Sequence, residues 1–289
     1  MLREHKEGIA MRFTQYETAE AFSKDVLDSL NRHAIQNNLL YRNIGDGKVM
    51  LTVKDDTGHV LLIADRTPPH PLVMYEHDNR HSEAVVAFFA RSLYERNIDI
   101  DFLFTEDQLA QSFIRHYAAV SGKRFHPEQR LALSVTDHAT PPGRMTPGRL
   151  RLATQDDLYY LPHWCADFNV ACAIGAYDLQ AGVENAKKLV EEQQLYVWED
   201  GIPVSIAASH RKVTGCLIIG YVYTPPQLRG KGYASACVYT LTRDLLTDEY
   251  PQCALYIDCD NPVSNHIYEH IGYRRIGIHQ QYRETPPTP

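Results

Sequence analysis

Residues 221–236 read YVYTPPQLRGKGYASA, and the parsing of this passage decides the fold. A Tyr/Val run stops at Pro225 and Pro226, because proline donates no ladder hydrogen bond to a sheet. Gly230 and Gly232 then let the backbone turn with its N–H groups converging. Behind them Ala234, Cys237, Leu241 and Leu245 recur at helical spacing, which predicts a helix with that line toward the core. Amides at a helix N-terminus, with the macrodipole behind them, make a site for phosphate. Arg229 and Lys231 add charge to it. The passage reads as strand, pyrophosphate-binding turn, helix.

Two familiar phosphate motifs fit less well. A Walker loop needs G-x-x-x-x-G-K-[ST], which is absent. The dinucleotide fingerprint G-x-G-x-x-G is nearer, with Gly230 and Gly232 in place, but Ser235 stands at the third glycine. Asp258, ending the next strand, imitates the ribose-binding acid of that motif. Against it, the strand before the turn belongs to an expected antiparallel meander, and too little chain follows for a parallel sheet.

Upstream, LYVWED and IPVSIAAS are expected strands joined by Asp200-Gly201, the strongest short hairpin signal. Thr214-Gly215 suggests a second hairpin into CLIIGYVYT. RLRLAT reads as a strand, followed by helical segments at about 156–172 and 179–194. Downstream, CALYIDCD is a strand and NPVSNHIYEHIG a helix, with Asn261 at the N-cap, Pro262 at N1 and Gly272 at C′. Val263, Ile267 and Ile271 are expected to face the core, leaving Tyr268 on another line with Ser264 and Asn265 beside it. YRRIGIHQQYRE closes the half as a strand.

The segment QLRGKGYA resembles the Q/R-x-x-G-x-G/A signature of the GNAT superfamily of N-acetyltransferases. Asn261, Ser264, Tyr268, Gly272 and Tyr273 resemble, position by position, the segment in which that family holds a tyrosine beside the CoA sulfur. The resemblance covers residues 148–284. It implies a mixed, largely antiparallel sheet flanked by helices, with acetyl-CoA as cosubstrate and a small-molecule or peptide amine as acceptor. The implied site comprises Val222, Tyr223 and Thr224 along the pantetheine arm, and Gln227, Arg229, Gly230, Lys231, Gly232, Tyr233 and Ala234 around the diphosphate. Asn261, Ser264 and Asn265 flank them. The implied chemistry is direct attack in a ternary complex, with a backbone N–H near Val222 polarising the thioester and Tyr268 protonating the departing thiolate. No carboxylate stands on CLIIGYVYT, where many members keep a base; His210, Tyr221, Glu199 or a water are the candidates. A non-catalytic CoA sensor or scaffold is the alternative.

The first half is similar to a degenerate copy of the same domain, with no R-G-x-G-x-[GA] loop. Val49 to Val53, Val60 to Ala64, Asp99 to Phe104 and Arg130 to Val135 read as strands. Ser82 caps one expected helix, and Thr105 with Gln108 marks the start of another that stops at Gly122. The Thr/Pro/Gly-rich TDHATPPGRMTPG, residues 136–148, reads as a linker, giving expected domains at 1–140 and 149–284: a tandem α/β architecture.

The 289 residues, 44% hydrophobic and 22% charged, suit two cores, and the net charge of −7 argues against general nucleic-acid or anionic-membrane binding. No apolar run is long enough to span a bilayer and MLREHKEGIAMRF has no signal-peptide core, so a cytoplasmic protein is expected, with Met11 an alternative start. The six cysteines show no C-x-x-C pair and read as small buried hydrophobes; no metal site is expected, His266 and His270 reading as a solvated face. By their position in the family, His163, Trp164, Asp167 and Asp178 are candidates for acceptor contacts. Oligomeric state and acceptor identity are not legible.

Overall fold

The structure, a computed structural model, describes residues 10–44, 48–76 and 82–286. The start at Met1 and the last three residues of the TPPTP tail lie outside the described residues. By compactness the chain divides into two units, residues 1–130 with 278–289, and residues 131–277.

In the first unit β1 (Arg12–Tyr16), β2 (Val49–Lys54), β3 (Val60–Arg66) and β4 (Val73–Glu76) pair antiparallel in that order. α1 (Ala19–Arg32), α2 (Asn38–Asn43), α3 (Glu83–Glu95) and α4 (Asp107–Ser121) accompany them. β1, α1, α2 and β4 are not among the elements expected above. α1 buries only Phe22, Val26, Ser29 and Leu30 of its length, so its apolar stripe is sparse in the sequence. Phe89, Phe113 and Tyr117 anchor the core, Phe113 and Tyr117 stacked at 5.2 Å. Ser82 caps α3 and Gly122 ends α4, as expected. Thr105 does not cap α4. It still belongs to β5 (Phe102–Glu106), its hydroxyl donates to the Met74 carbonyl, and the Glu106 carboxylate accepts from the Gln108 and Leu109 amides instead.

The second unit holds residues 131–136 of β6 (Phe125–Thr136), then β7 (Arg149–Leu152), a 3-10 turn (Gln155–Tyr159), α5 (Leu161–Ala171) and α6 (Leu179–Glu191). β8 (Leu195–Asp200), β9 (Ile202–Val213) and β10 (Cys216–Tyr223) form the meander, joined by the two expected hairpins. A 3-10 turn (Pro226–Leu228), α7 (Tyr233–Leu245), β11 (Gln252–Asp258), α8 (Pro262–Ile271) and β12 (Arg274–Glu284) follow, β12 running on into the first unit. The strand order is β6-β11-β10-β9-β8-β7, antiparallel throughout except β10 with β11. This is the mixed, largely antiparallel sheet expected, and it excludes a doubly wound dinucleotide fold. α5 and α6 cover one face through Leu161, Cys165, Ala186 and Leu189 against Val197 and Ile206. α7 brings Ala236, Cys237, Val238 and Leu241 to the sheet.

Residues 131–136 bond to β11 along the whole of Cys253–Asp258. A fragment starting at Arg149 would therefore bare a buried strand edge, and an open edge invites association. By size exclusion it should aggregate, while a fragment starting at Leu131 should stay monodisperse.

Asp157, 4% exposed, accepts from both Arg151 guanidinium nitrogens, the Thr154 amide and the Tyr160 hydroxyl. Burial pushes its carboxyl up, but Arg151, Thr154 and Tyr160 outweigh burial and hold it at about 2. Its stabilisation is present above the unfolded value of about 4 and is lost as pH falls through the folded one. Urea melts at neutral pH should show Asp157→Asn destabilised by about 3 kcal/mol, because Arg151 is left without its buried partner; the gap to wild type should shrink at the acid end.

Candidate active site

β10 and β11 pair only where Cys216–Ile218 meets Gln252–Ala254, although β11 continues to Asp258 on its other neighbour. Two irregularities turn β10 away. His210 is an extra residue of β9 between the Arg211–Ile218 and Ser209–Ile219 pairs. Next, β10 takes three steps, Gly220 to Tyr223, where β9 takes two, Ala208 to Ile206. Tyr221 lies in this second bulge at φ +50°, a rare backbone for an aromatic residue. A cleft opens between residues 219–223 of β10 and 255–258 of β11, where the β10–β11 ladder has ended.

The turn behind β10 is built from the residues expected. The Thr224 hydroxyl meets Ser205 Oγ at 2.9 Å, and the Thr224 carbonyl accepts from Arg229 Nε at 2.9 Å. Arg229 thus closes the turn while its guanidinium lies 5.9 Å from the Tyr223 ring centre. Gly230 at φ +75° and Gly232 at φ +83° take left-handed backbone, which favours glycine at both. Gln227, Arg229, Gly230, Lys231 and Gly232 are exposed, and Tyr233 is tied to Asp200 by a 2.9 Å hydrogen bond. α1, α3, α4, α6 and α8 each have a side-chain N-cap; α7 starts on Gly232 with none, as α2 and α5 also start without one. Its first-turn amides, which no intrahelical carbonyl can satisfy, open outward beside exposed Lys231 and half-buried Ala234.

α8 departs from the expected facing. Val263 is 69% exposed and Ile267 half-buried, while Tyr268 is 9% exposed and shares the inward face with Ile271. The first turn of α8 overhangs the end of β11, so burial begins a turn later than the Val263 repeat suggests. Asn261 accepts from the Ser264 amide, Ser264 Oγ donates to the Asn261 carbonyl, and Asn265 Nδ2 donates to the carbonyls of Asp258 and Asn261. These three side chains fasten α8 to the end of β11. Among the described residues the Tyr268 hydroxyl makes no hydrogen bond. Burial, then the Cys172 and Cys237 sulfurs, raise its phenol above the ordinary tyrosine value. Cys172 ends α5 and Cys237 lies in α7, so the ring sits where helices from both faces of the sheet approach.

Residues 205–283 match the family described as FR47-like protein, a match that includes the cleft, the turn and α8. The likeness to that family runs from β9 to β12. A GCN5-related N-acetyltransferase from Sphaerobacter thermophilus superposes with TM-score 0.64 at 12% identity, over 95% of this chain and 95% of its own. An acetyltransferase from the GNAT family of Colwellia psychrerythraea gives 0.61 at 11%, over 94% and 99%. A tandem GNAT protein from the clavulanic acid biosynthesis pathway gives 0.61 at 12%, over 97% and 100%. At such identities the likeness is one of fold, and that fold is the tandem GNAT architecture. No curated protein matches the sequence at a significant level.

The α5 wall of this cleft is aromatic. Phe168 stacks on Tyr221 at 4.9 Å, His210 meets Tyr221 edge-on at 5.8 Å, and Trp164 packs on Tyr223 at 6.2 Å. The Tyr223 hydroxyl donates to Asp167 Oδ2 at 3.2 Å; burial and the Asp167 charge push that phenol up to about 12. A Cβ at Gly220 would run into the His210 ring, so the glycine admits the imidazole. Of the base candidates, Glu199 stands apart, held by Arg149 and Arg151 at the β7–β8 edge; Arg151 and then Arg149 lower its carboxyl. Of the acceptor candidates, His163 binds the Tyr177 hydroxyl at 2.8 Å and Asp178 caps α6. The approach of Phe168 and Cys172 to the cleft has no sequence signal, because it follows from helix packing. Cys165, Cys216, Cys237 and Cys253 are buried as expected; Cys172 and Cys259 are half-buried. The His266 and His270 rings lie tilted with centres 4.0 Å apart, and among the described residues no group of three or more His, Cys, Asp or Glu could hold a metal ion.

At Gly232 a Cβ would lie 2.9 Å from Thr146 Cγ2 in addition to the left-handed strain. Gly232→Val should cost about 2 kcal/mol in a denaturant titration, and Lys231→Ala about nothing.

Proposed function

We propose that the second unit transfers an acetyl group from acetyl-CoA to a primary amine by direct attack within a ternary complex. The observation that carries this is the Tyr268 hydroxyl, on a buried ring and without a hydrogen bond among the described residues, beside a cleft whose far end is an uncapped helix. The amides of residues 230–235, with the α7 dipole and Lys231, suit a diphosphate. The edge of β10 beyond Ile218, where the ladder to β11 has ended, suits the amide-bearing pantetheine arm, which adds to β10 like a further strand. An N–H near Val222 then serves the thioester carbonyl as an oxyanion donor. Arg229 serves by shaping the turn, and Asn261, Ser264 and Asn265 by holding α8 in place.

The acceptor ammonium first gives one proton to solvent. Its nitrogen then attacks the acetyl carbonyl carbon, the C–N bond forms, the C–S bond breaks, and the thiolate takes the Tyr268 proton. The proton shed by the new amide nitrogen returns to the tyrosinate through water. The raised phenol remains a proton donor through neutral and mildly alkaline pH, so the alkaline fall of kcat due to this group lies above the ordinary tyrosine value of about 10. Alignment of both substrates in one cleft supplies much of the acceleration. A cytoplasmic location fits an enzyme fed by acetyl-CoA, and no described helix is long and apolar enough to cross a membrane.

Tyr268→Phe should lower kcat by about a hundredfold while the calorimetric Kd for acetyl-CoA stays within about threefold. An unchanged kcat, followed by free-thiol release, removes Tyr268 as the acid. Binding of acetyl-CoA with no transfer to any amine would mean a sensor instead.

A further inference from the structure

The wall facing the cleft from α5 carries a chemistry that the cosubstrate does not use. Residues 168–177, FNVACAIGAY, hold ten consecutive uncharged side chains. The end of this run folds back along α5: the Ile174 amide donates to the Asn169 carbonyl at 2.9 Å and Tyr177 reaches His163. Val170, Ile174 and Tyr177 are left 50%, 58% and 48% exposed. An exposed apolar cluster beside a cleft marks a ligand or partner surface. Its inner end is the Phe168–Tyr221 stack, and Tyr221 is held there against its own backbone preference.

One charge interrupts the apolar wall. Asp167 is the single acidic residue of α5; Oδ2 takes the Tyr223 hydroxyl, and Oδ1 accepts no hydrogen bond among the described residues. Asp178, at the other end of the uncharged run, is spent on the α6 cap. Polyamines and aminoglycosides carry several ammonium groups and need an acid for each in a desolvated site. This wall offers one carboxylate and a large apolar face.

We propose that the acceptor is a monoamine with an apolar or aromatic body, its ammonium group received by Asp167 and its body by Phe168, Tyr221 and Ile174. The inference rests on the acetyl-transfer reading for the reaction, but the amine subsite can be measured without it. The aromatic faces also attract the ammonium as it enters.

The test uses the full chain with saturating acetyl-CoA and follows thiol release with 2-phenylethylamine, hexylamine, spermidine and an aminoglycoside. The two monoamines should exceed the others in kcat/KM by about tenfold or more. Ile174→Asp, at an exposed position that folding tolerates, should shift the ratio toward spermidine by about tenfold through KM, with acetyl-CoA binding unchanged. In parallel, Trp164 emission should be quenched saturably by 2-phenylethylamine, a signal removed by Trp164→Phe. Preference for spermidine or the aminoglycoside, or an Ile174→Asp enzyme with the wild-type ratio, overturns the proposal and leaves acetyl transfer standing. Saturable quenching without any acetyl-CoA binding would sink the acetyl-transfer reading and leave the subsite. Absence of both signals overturns both.

Discussion

The separation of β10 from β11 after three residue pairs is the constraint from which the rest of the site follows. Parallel strands left adjacent would complete their ladder, since unpaired buried backbone groups are costly. The chain prevents this by adding a residue on β9 at His210 and another on β10 around Tyr221. The unusual backbone of Tyr221 is the local expense of that geometry, and the packing of Phe168 and His210 around its ring keeps the bulge in place. What remains is a slot with hydrogen-bonding groups along one side, suited to a narrow, amide-bearing ligand.

The two helices beside the slot are finished in opposite ways. α8 is capped by Asn261 and pinned again by Asn265, so that its inward tyrosine is fixed to the end of β11. α7 begins on a glycine that can contribute no side chain, and the turn before it is closed from behind by Arg229. Capping satisfies a helix end internally, whereas leaving it bare keeps its amides for something else. α7 is thus left with a bare end beside a turn whose arginine is directed back onto the backbone. The bare end of α7 lies at one end of the slot and the phenol of Tyr268 at the other.

Much of this architecture was legible in the primary structure, for physical reasons particular to each element. The double proline after Tyr223, the two glycines of the turn, Asn261-Pro262 and Gly272 are local devices whose effect on the backbone hardly depends on the surroundings. The hairpins at Asp200-Gly201 and Thr214-Gly215 are of the same kind. The inward face of α8 was not legible, since the Val263-Ile267-Ile271 repeat is a property of the helix and burial is a property of what lies against it. The cap of α4 likewise shifted from Thr105 to Glu106, because Thr105 was already engaged by the Met74 carbonyl of another strand. The sparse stripe of α1 and the short β4 gave periodicity too little length to act on.

The sequence by itself determined where the chain turns, that a helix would begin behind the two glycines, and that a tyrosine would follow one strand later on a capped helix. All of these are written in residues close together along the chain. Only the tertiary structure decided that Tyr268 is buried rather than exposed, that Asp167 meets Tyr223, and that Phe168 and Tyr221 form one surface. It also decided that residues 131–136 belong to the sheet of the second unit. Those outcomes depend on contacts between segments far apart in sequence, and such contacts are selected by packing and burial, which no local pattern encodes.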